Sequence, residues 1–303
     1  MVYAPGVPFR ARFECLWCGR PWTAADGEAL EGWAQLCPDC LGRAGDNGFL
    51  RARLHAAIAE RGRSQRQGPD PDAEMVAYYE ARATEYDDWY LRRGRYDHGP
   101  LENLAWTMEL DQATLWLDRQ PLNGRIVELA AGTGWWSPLL AGKGELWCYD
   151  AAGAPLDRAS QRLVAHRLRA HLHVRDAWAP PEPPPADALF TGFWLSHVRR
   201  ARLGTFLALA RAWLKPGGRL AFIDSRPDPA SGAPDQDWDP ATETSRRRLA
   251  DGRTFTVPKV YYAPDELDAA LRAAGFEDPE ITTTSRFFLL GSAVAGEAGQ
   301  GNP

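Results

Sequence analysis

Three carboxylates and two glycines sit at the ends of short apolar runs. Glu128 lies in VELAAGTGWW with Gly132 and Gly134, Asp150 closes ELWCYD, and Asp176 closes LHVRD. Glycines on a strand-to-helix turn let backbone approach a ligand, and the helix start offers free N–H groups. A carboxylate ending the next strand can accept both hydroxyls of a ribose. An acid followed by Ala177 and Trp178 suits an adenine, with one amino donor and two flat faces. Ser137 stands where a dinucleotide fingerprint has its third glycine.

A second set of residues speaks for metal. Cys15, Cys18, Cys37 and Cys40 give C-x2-C-x18-C-x2-C, within the spacing of a tetrahedral four-thiolate site. Zinc is the expected ion, with a rubredoxin-like iron as rival, and four protein ligands make the site structural rather than catalytic. The fifth cysteine, Cys148, lies within a strand and reads as core.

The elements that must carry these groups alternate. RIVELA (125–130), ELWCYD (145–150), LHVRD (172–176), DALFTGFW (187–194) and GRLAFIDS (218–225) read as strands. Helical spacing falls between them at about 135–141, 155–169 and 201–214, which predicts an α/β, doubly wound, parallel sheet. Pro264 and Gly275 bracket a further helix, after which EITTT and RFFLLG form an antiparallel pair and 293–303 a loose tail. The boundaries read as a zinc-binding module plus a helix at 47–63 (1–66), a linker and helical cap (67–124), and a core (125–303). The core holds a proline-rich insert at 226–262, strand-like at 254–260.

With 45% apolar and 25% charged residues, the 303-residue composition is globular. A net charge of -5 speaks against a protein that grips phosphate backbones, and SRRRL reads as a solvated basic face. No apolar run reaches the roughly 18 residues of a membrane span, and the N-terminus lacks the layout of a signal peptide. A cytoplasmic protein is expected, with no membrane partner; a homodimer is the expected assembly. The 13 Trp either fill the core or line a pocket for flat or cationic groups.

From about 73 to 292 the chain resembles class I S-adenosylmethionine-dependent methyltransferases. ELAAGTG, CYD, RDAW, LFTGFWLSHV and LKPGGRLAFID correspond to successive motifs of that family, and YYAPDELDAALRAAGF to its end region. The resemblance implies a seven-stranded, mostly parallel sheet with an antiparallel last strand. It implies S-adenosylmethionine as cofactor, held by Ala130, Gly132, Thr133 and Gly134, with Glu128 supporting that loop. Asp150 would hold the ribose, and Asp176, Ala177 and Trp178 the adenine. Phe193, Trp194, Trp135 and Trp136 are candidate walls, as are Tyr78, Tyr86 and Tyr90 of the cap, where tyrosines of small-molecule members reach the cofactor.

Methyl transfer is an in-line displacement, so the protein positions the acceptor and, for some acceptors, removes its proton. His197 in FWLSHV is the first candidate base, against a role in orienting the next helix; His98 in YDHGP is the second, and Asp224 is a base or a cap. The insert 226–262 suits an acceptor-site lid. A small molecule is the expected acceptor. The alternatives are an RNA methyltransferase docking through the zinc module, and a cofactor-binding regulator without catalysis. TGFW departs from the Asn/Asp-Pro-Pro-aromatic motif of amino-methylating nucleic-acid enzymes.

Overall fold

The computed structural model describes residues 12–15, 18, 20–23, 37, 39–40 and 71–297. The helix expected at 47–63 and most of the expected linker lie outside them. The chain divides into two units, Met1–Asp70 and Pro71–Pro303. In the first, β1 (Arg12–Glu14) and β2 (Pro21–Thr23) pair antiparallel, with Phe13 opposite Trp22. Cys15 and Cys18 fall in the connection between these strands, where the Cys15 N–H donates to the Arg20 carbonyl at 2.9 Å.

The second unit opens with the cap: α1 (Pro71–Arg82), α2 (Asp87–Tyr90) and α3 (Pro100–Arg119). Arg92, Gly94 and Gly99 take positive φ and divide the expected helical cap into separate helices. Pro100 then starts α3, where its missing N–H costs nothing. The sheet strands follow as β3 (Gly124–Leu129), β4 (Gly144–Asp150), β5 (His171–Val174), β6 (Ala186–Gly192) and β7 (Leu214–Ser225). Between them lie α4 (Ser137–Ala141), α5 (Gly153–Ala165) and α6 (Arg200–Trp213).

The insert carries β8 (Asp237–Asp239), β9 (Thr244–Arg248) and β10 (Thr254–Pro258), which form a small antiparallel sheet of their own. Only β10 was expected. The other two are short and polar, without the apolar alternation that marks a half-buried strand. The chain closes with α7 (Pro264–Ala273), β11 (Phe276–Thr283) and β12 (Phe288–Ala295). β12 reaches past the point where the tail was expected, because Ala295 still pairs with Phe276.

The seven-stranded sheet has the order β11-β12-β7-β6-β3-β4-β5. β12 runs antiparallel to β7 and to β11, and the other neighbours are parallel, as expected. From β3 the chain moves outward through β4 to β5, then returns to β6 on the other side of β3. The switch point therefore lies at the carboxyl ends of β3, β4 and β6, where such sheets bind ligands. Both faces are covered: Val127 and Leu129 pack in one cluster, Ile126, Cys148 and Phe190 in the other. Trp106 and Trp213 are fully buried filling. Among the described residues no helix is long and apolar enough to cross a membrane.

Candidate active site

The loop after β3 owes its shape to backbone that ordinary residues avoid. Ala130, Gly132 and Gly134 have φ of 53°, 56° and 70°. A Cβ on Gly132 would meet the Tyr86 hydroxyl at 3.4 Å, and one on Gly134 would strike Ala159 of α5 at 2.7 Å. Gly132 thus opens the ligand side, while Gly134 permits the helix–loop packing. Asp150 locks this turn: its Oδ2 accepts the Gly132 N–H at 2.8 Å and its Oδ1 the Ala152 N–H at 2.9 Å. One carboxylate holds the ends of two adjacent strands in register and still presents lone pairs to the cleft. Withdrawal from water raises its pKa to about 6.

Glu128 is only 1% exposed and faces away from that cleft. Its Oε2 accepts Ser137 Oγ at 2.5 Å, with Cys148 Sγ 3.4 Å away. Ser137, in the place of the third glycine, ties the start of α4 to β3. Burial raises the Glu128 pKa to about 7. The folded chain therefore holds a proton that the unfolded chain releases near its ordinary value of 4.5, and stability falls as pH rises from about 4.5 to 7. Glu128→Gln should remove roughly 3 kcal/mol of that dependence. Urea unfolding at pH 5 and pH 8 checks it: the wild type should lose more stability than the variant, and parallel losses would contradict the assignment.

A cleft of ≈ 680 Å³ opens over the switch point. Its floor is Ala130, Gly132 and Asp150; one end is Asp176, Ala177 and Trp178; its far wall is Phe193, Trp194 and His197. The cap supplies Met75, Tyr79 and Tyr86 from above. At that end Ala177 and Trp178 present an apolar and an aromatic surface beside the Asp176 carboxylate. Asp72 pairs with Arg202, while the carboxylates of Asp150 and Asp176 face the cleft, which suits a ligand bearing a sulfonium and an ammonium.

A second chamber of ≈ 1120 Å³ adjoins the first and is lined largely by residues of the insert. Tyr79, Tyr86, Phe193 and His197 line both. His197 is 7% exposed and fixed at both ring nitrogens. The Pro258 carbonyl, 2.6 Å from Nδ1, can only accept, so Nδ1 carries the hydrogen. Nε2 therefore accepts from the Tyr79 hydroxyl at 2.7 Å. Burial holds the His197 pKa well below its ordinary value, helped by the charges of Lys259, Arg247 and Arg82, so the ring is neutral.

The other expected residues take different places. Tyr78 is buried against Phe255, ring centroids 5.6 Å apart; Tyr79, one residue on, reaches the cleft. Both tyrosines are covered, because α1 has the core on one side and β10 on the other, so helical spacing could not separate them. Tyr90 stacks on Trp135 at 4.2 Å, behind the glycine loop. Thr133 turns to the cap, donating to Asp87 Oδ1 at 2.7 Å; Asp87 also pairs with Arg162. His98 Nε2 donates to the Gly232 carbonyl at 2.7 Å and lines neither cavity; with Trp89 and Arg92 it anchors the carbonyls of 230–232. Asp224 accepts the Ser196 N–H at 2.8 Å, as a cap on the turn that carries His197. Tyr79, Arg82, Arg247 and Lys259 were not anticipated as site residues. With SRRRL on strand β9, Arg247 points opposite to Arg246 and Arg248, a separation visible only once the strand is known.

In the first unit, the sulfurs of Cys15, Cys18, Cys37 and Cys40 all lie within 4.8 Å of one another. Cys18 and Cys37 stand 3.8 Å apart, close to the edge of a tetrahedron built on bonds of about 2.3 Å. None of the four forms a disulfide; Cys15 and Cys40 are buried and Cys18 is exposed.

Residues 126–218 match a family described as a methyltransferase domain. Among solved structures, the complex of DhpI with SAH is 26% identical at a TM-score of 0.59, spanning 74% of this chain and 97% of DhpI. The complex of DhpI with SAM and HEP is 26% identical at a TM-score of 0.60, spanning 75% and 98%. The PH0226 protein of Pyrococcus horikoshii, 15% identical at a TM-score of 0.51 over 69% and 98%, shares the fold. No protein of curated function matches the chain by sequence. The domain match, the sheet order and the cleft at the switch point converge on one conclusion: the chain carries a methyltransferase domain on the class I methyltransferase fold and is an S-adenosylmethionine-dependent methyltransferase.

Proposed function

We propose that this enzyme methylates a small molecule held in the chamber beneath the insert, and that its four cysteines hold a structural zinc ion. The observation that carries the first reading is the shared wall. Tyr79, Tyr86, Phe193 and His197 are the boundary between the cofactor cleft and the second chamber, so the two ligands meet there and nowhere else among the described cavities. DhpI likewise holds SAM together with a second ligand, HEP. When bound, S-adenosylmethionine supplies an activated methyl group. The chain's part is to place the acceptor, exclude water and move a proton.

Ala130 and Gly132 would hold the methionine portion, Asp150 the ribose, and Asp176, Ala177 and Trp178 the adenine. Phe193 is held in place by an N–H bond to the Ile223 carbonyl at 2.7 Å. Tyr86 and Phe193 present aromatic surface, which favours a cationic centre. An acceptor that must lose a proton can pass it to the Tyr79 oxygen while the Tyr79 proton moves to His197 Nε2. The Pro258 carbonyl keeps the other nitrogen protonated throughout.

Labelled methyl transfer from S-adenosylmethionine into the small-molecule fraction of a host extract tests the reading. The label should enter that fraction. Label confined to RNA, or no label despite cofactor binding, would overturn it.

The cysteine cluster fits zinc by ligand type, number and spacing. So small a segment builds little core, and metal binding supplies its folding energy. Metal analysis of fresh protein should find about one zinc per chain, lost in Cys15→Ser or Cys37→Ser. Iron in its place, or no metal, would contradict the assignment.

A further inference from the structure

The chamber beneath the insert is lined by three cationic side chains from three distant parts of the chain: Arg82 of α1, Arg247 of β9 and Lys259 after β10. Arg82 is 5% exposed and Lys259 6%. Charged groups at that depth are ordinarily paired. Among the described residues none of the three has an ion-pair partner. The Arg82 guanidinium instead rests on aromatic faces, 4.7 Å from the centroid of Tyr86 and 5.5 Å from Tyr78 and Tyr96, and its Nε has no hydrogen-bond partner. Arg247 gives one N–H to Gln236, and its Nε also lacks a partner. Lys259 Nζ donates to the Ser225 hydroxyl at 2.5 Å and sits 4.8 Å from the Tyr261 ring.

All three line the chamber that His197 also borders, and each of their charges bears on that ring. Lys259 shows the cost of lacking an ion pair: burial, with Arg247 adding to it, lowers its pKa to about 7 even though the charge of Asp224 opposes the fall. The carboxylate on the chamber wall, Asp228, does not answer them. Its two oxygens face Arg286 at 3.0 Å each, and Oδ1 also accepts the Ala230 N–H. A cationic chamber beside a cleft built for a sulfonium is electrostatically unfavourable when empty.

We propose that the methyl acceptor is an oxyanion, a small molecule bearing a carboxylate, phosphate or phosphonate that Arg82, Arg247 and Lys259 hold against the Tyr79–His197 wall. The proposal rests on the reading of that chamber as the acceptor site. Guanidinium groups with free N–H donors match the paired oxygens of such groups, and the lysine adds a point charge. The anion also offsets the field that lowers the basicity of His197, so binding the correct acceptor readies the base.

The test is calorimetric titration of the full chain, saturated with S-adenosylhomocysteine, at constant chloride. The probes are inorganic phosphate, methylphosphonate, acetate and, as neutral control, acetamide. At least one anion should bind saturably and acetamide should not; which anion binds separates the carboxylate from the phosphorus sources. Arg247→Gln and Lys259→Met should each weaken that anion by about tenfold or more while S-adenosylhomocysteine affinity stays unchanged. Unchanged cofactor affinity certifies that the variants fold. Absence of binding by every anion to the cofactor-loaded wild type overturns the proposal, as does anion affinity equal in wild type and both variants. Failure of S-adenosylhomocysteine itself to bind would instead sink the reading of the cleft.

Discussion

Replacing Asp150 with alanine should weaken S-adenosylhomocysteine binding by about 100-fold or more, since three losses coincide. The Gly132 and Ala152 N–H groups each lose their acceptor, at roughly 1–3 kcal/mol apiece. The glycine loop, held at positive φ at Ala130, Gly132 and Gly134, loses the contact that fixes it. The ribose loses its carboxylate. Asp150→Asn keeps the volume but offers one acceptor oxygen where two N–H groups need two, and should fall between. Wild-type affinity should also decline as pH drops through about 6, where Asp150 takes up a proton and one oxygen becomes a donor facing an N–H. Titration calorimetry reads all three. Full affinity in the alanine variant would remove Asp150 from the site.

The second large effect is on turnover. His197→Ala should slow methyl transfer by about 100-fold to 10,000-fold, the usual worth of a positioned base, while cofactor affinity changes far less. Tyr79→Phe should act on the same step, because Nε2 reaches the chambers through the Tyr79 hydroxyl. The two residues form one hydrogen-bonded unit, so the double variant should be little slower than His197→Ala alone. Multiplicative losses would show two independent roles. Full turnover of His197→Ala would leave the histidine as a brace between Pro258 and α1.

The switch point was legible because it rests on local signals. Strand, glycine turn and helix follow one another in VELAAGTGWW, and Asp150 and Asp176 close the next two strands. Those cues depend on neighbours in sequence, and periodicity reads neighbours well. The second chamber was not legible in the same way. Arg82, Arg247 and Lys259 are brought together by the cap and the insert, and nothing local marks them as partners. The choice between Tyr78 and Tyr79 hinged on β10 covering the back of α1. The polar strands β8 and β9 are held by cross-strand pairing, β9 to β10 and β8 to β9, a term that their own composition does not advertise. His98 looked like a spare base because its partner, the Gly232 carbonyl, lies 134 positions away.

The central claim is that cofactor and acceptor meet at one wall. A crystal structure with S-adenosylhomocysteine bound tests it most directly. The sulfur should lie against Tyr79, Tyr86, Phe193 and His197, with the ribose on Asp150 and the adenine between Ala177 and Trp178. A cofactor seated beneath the insert, or with its sulfur turned away from that wall, would contradict the account.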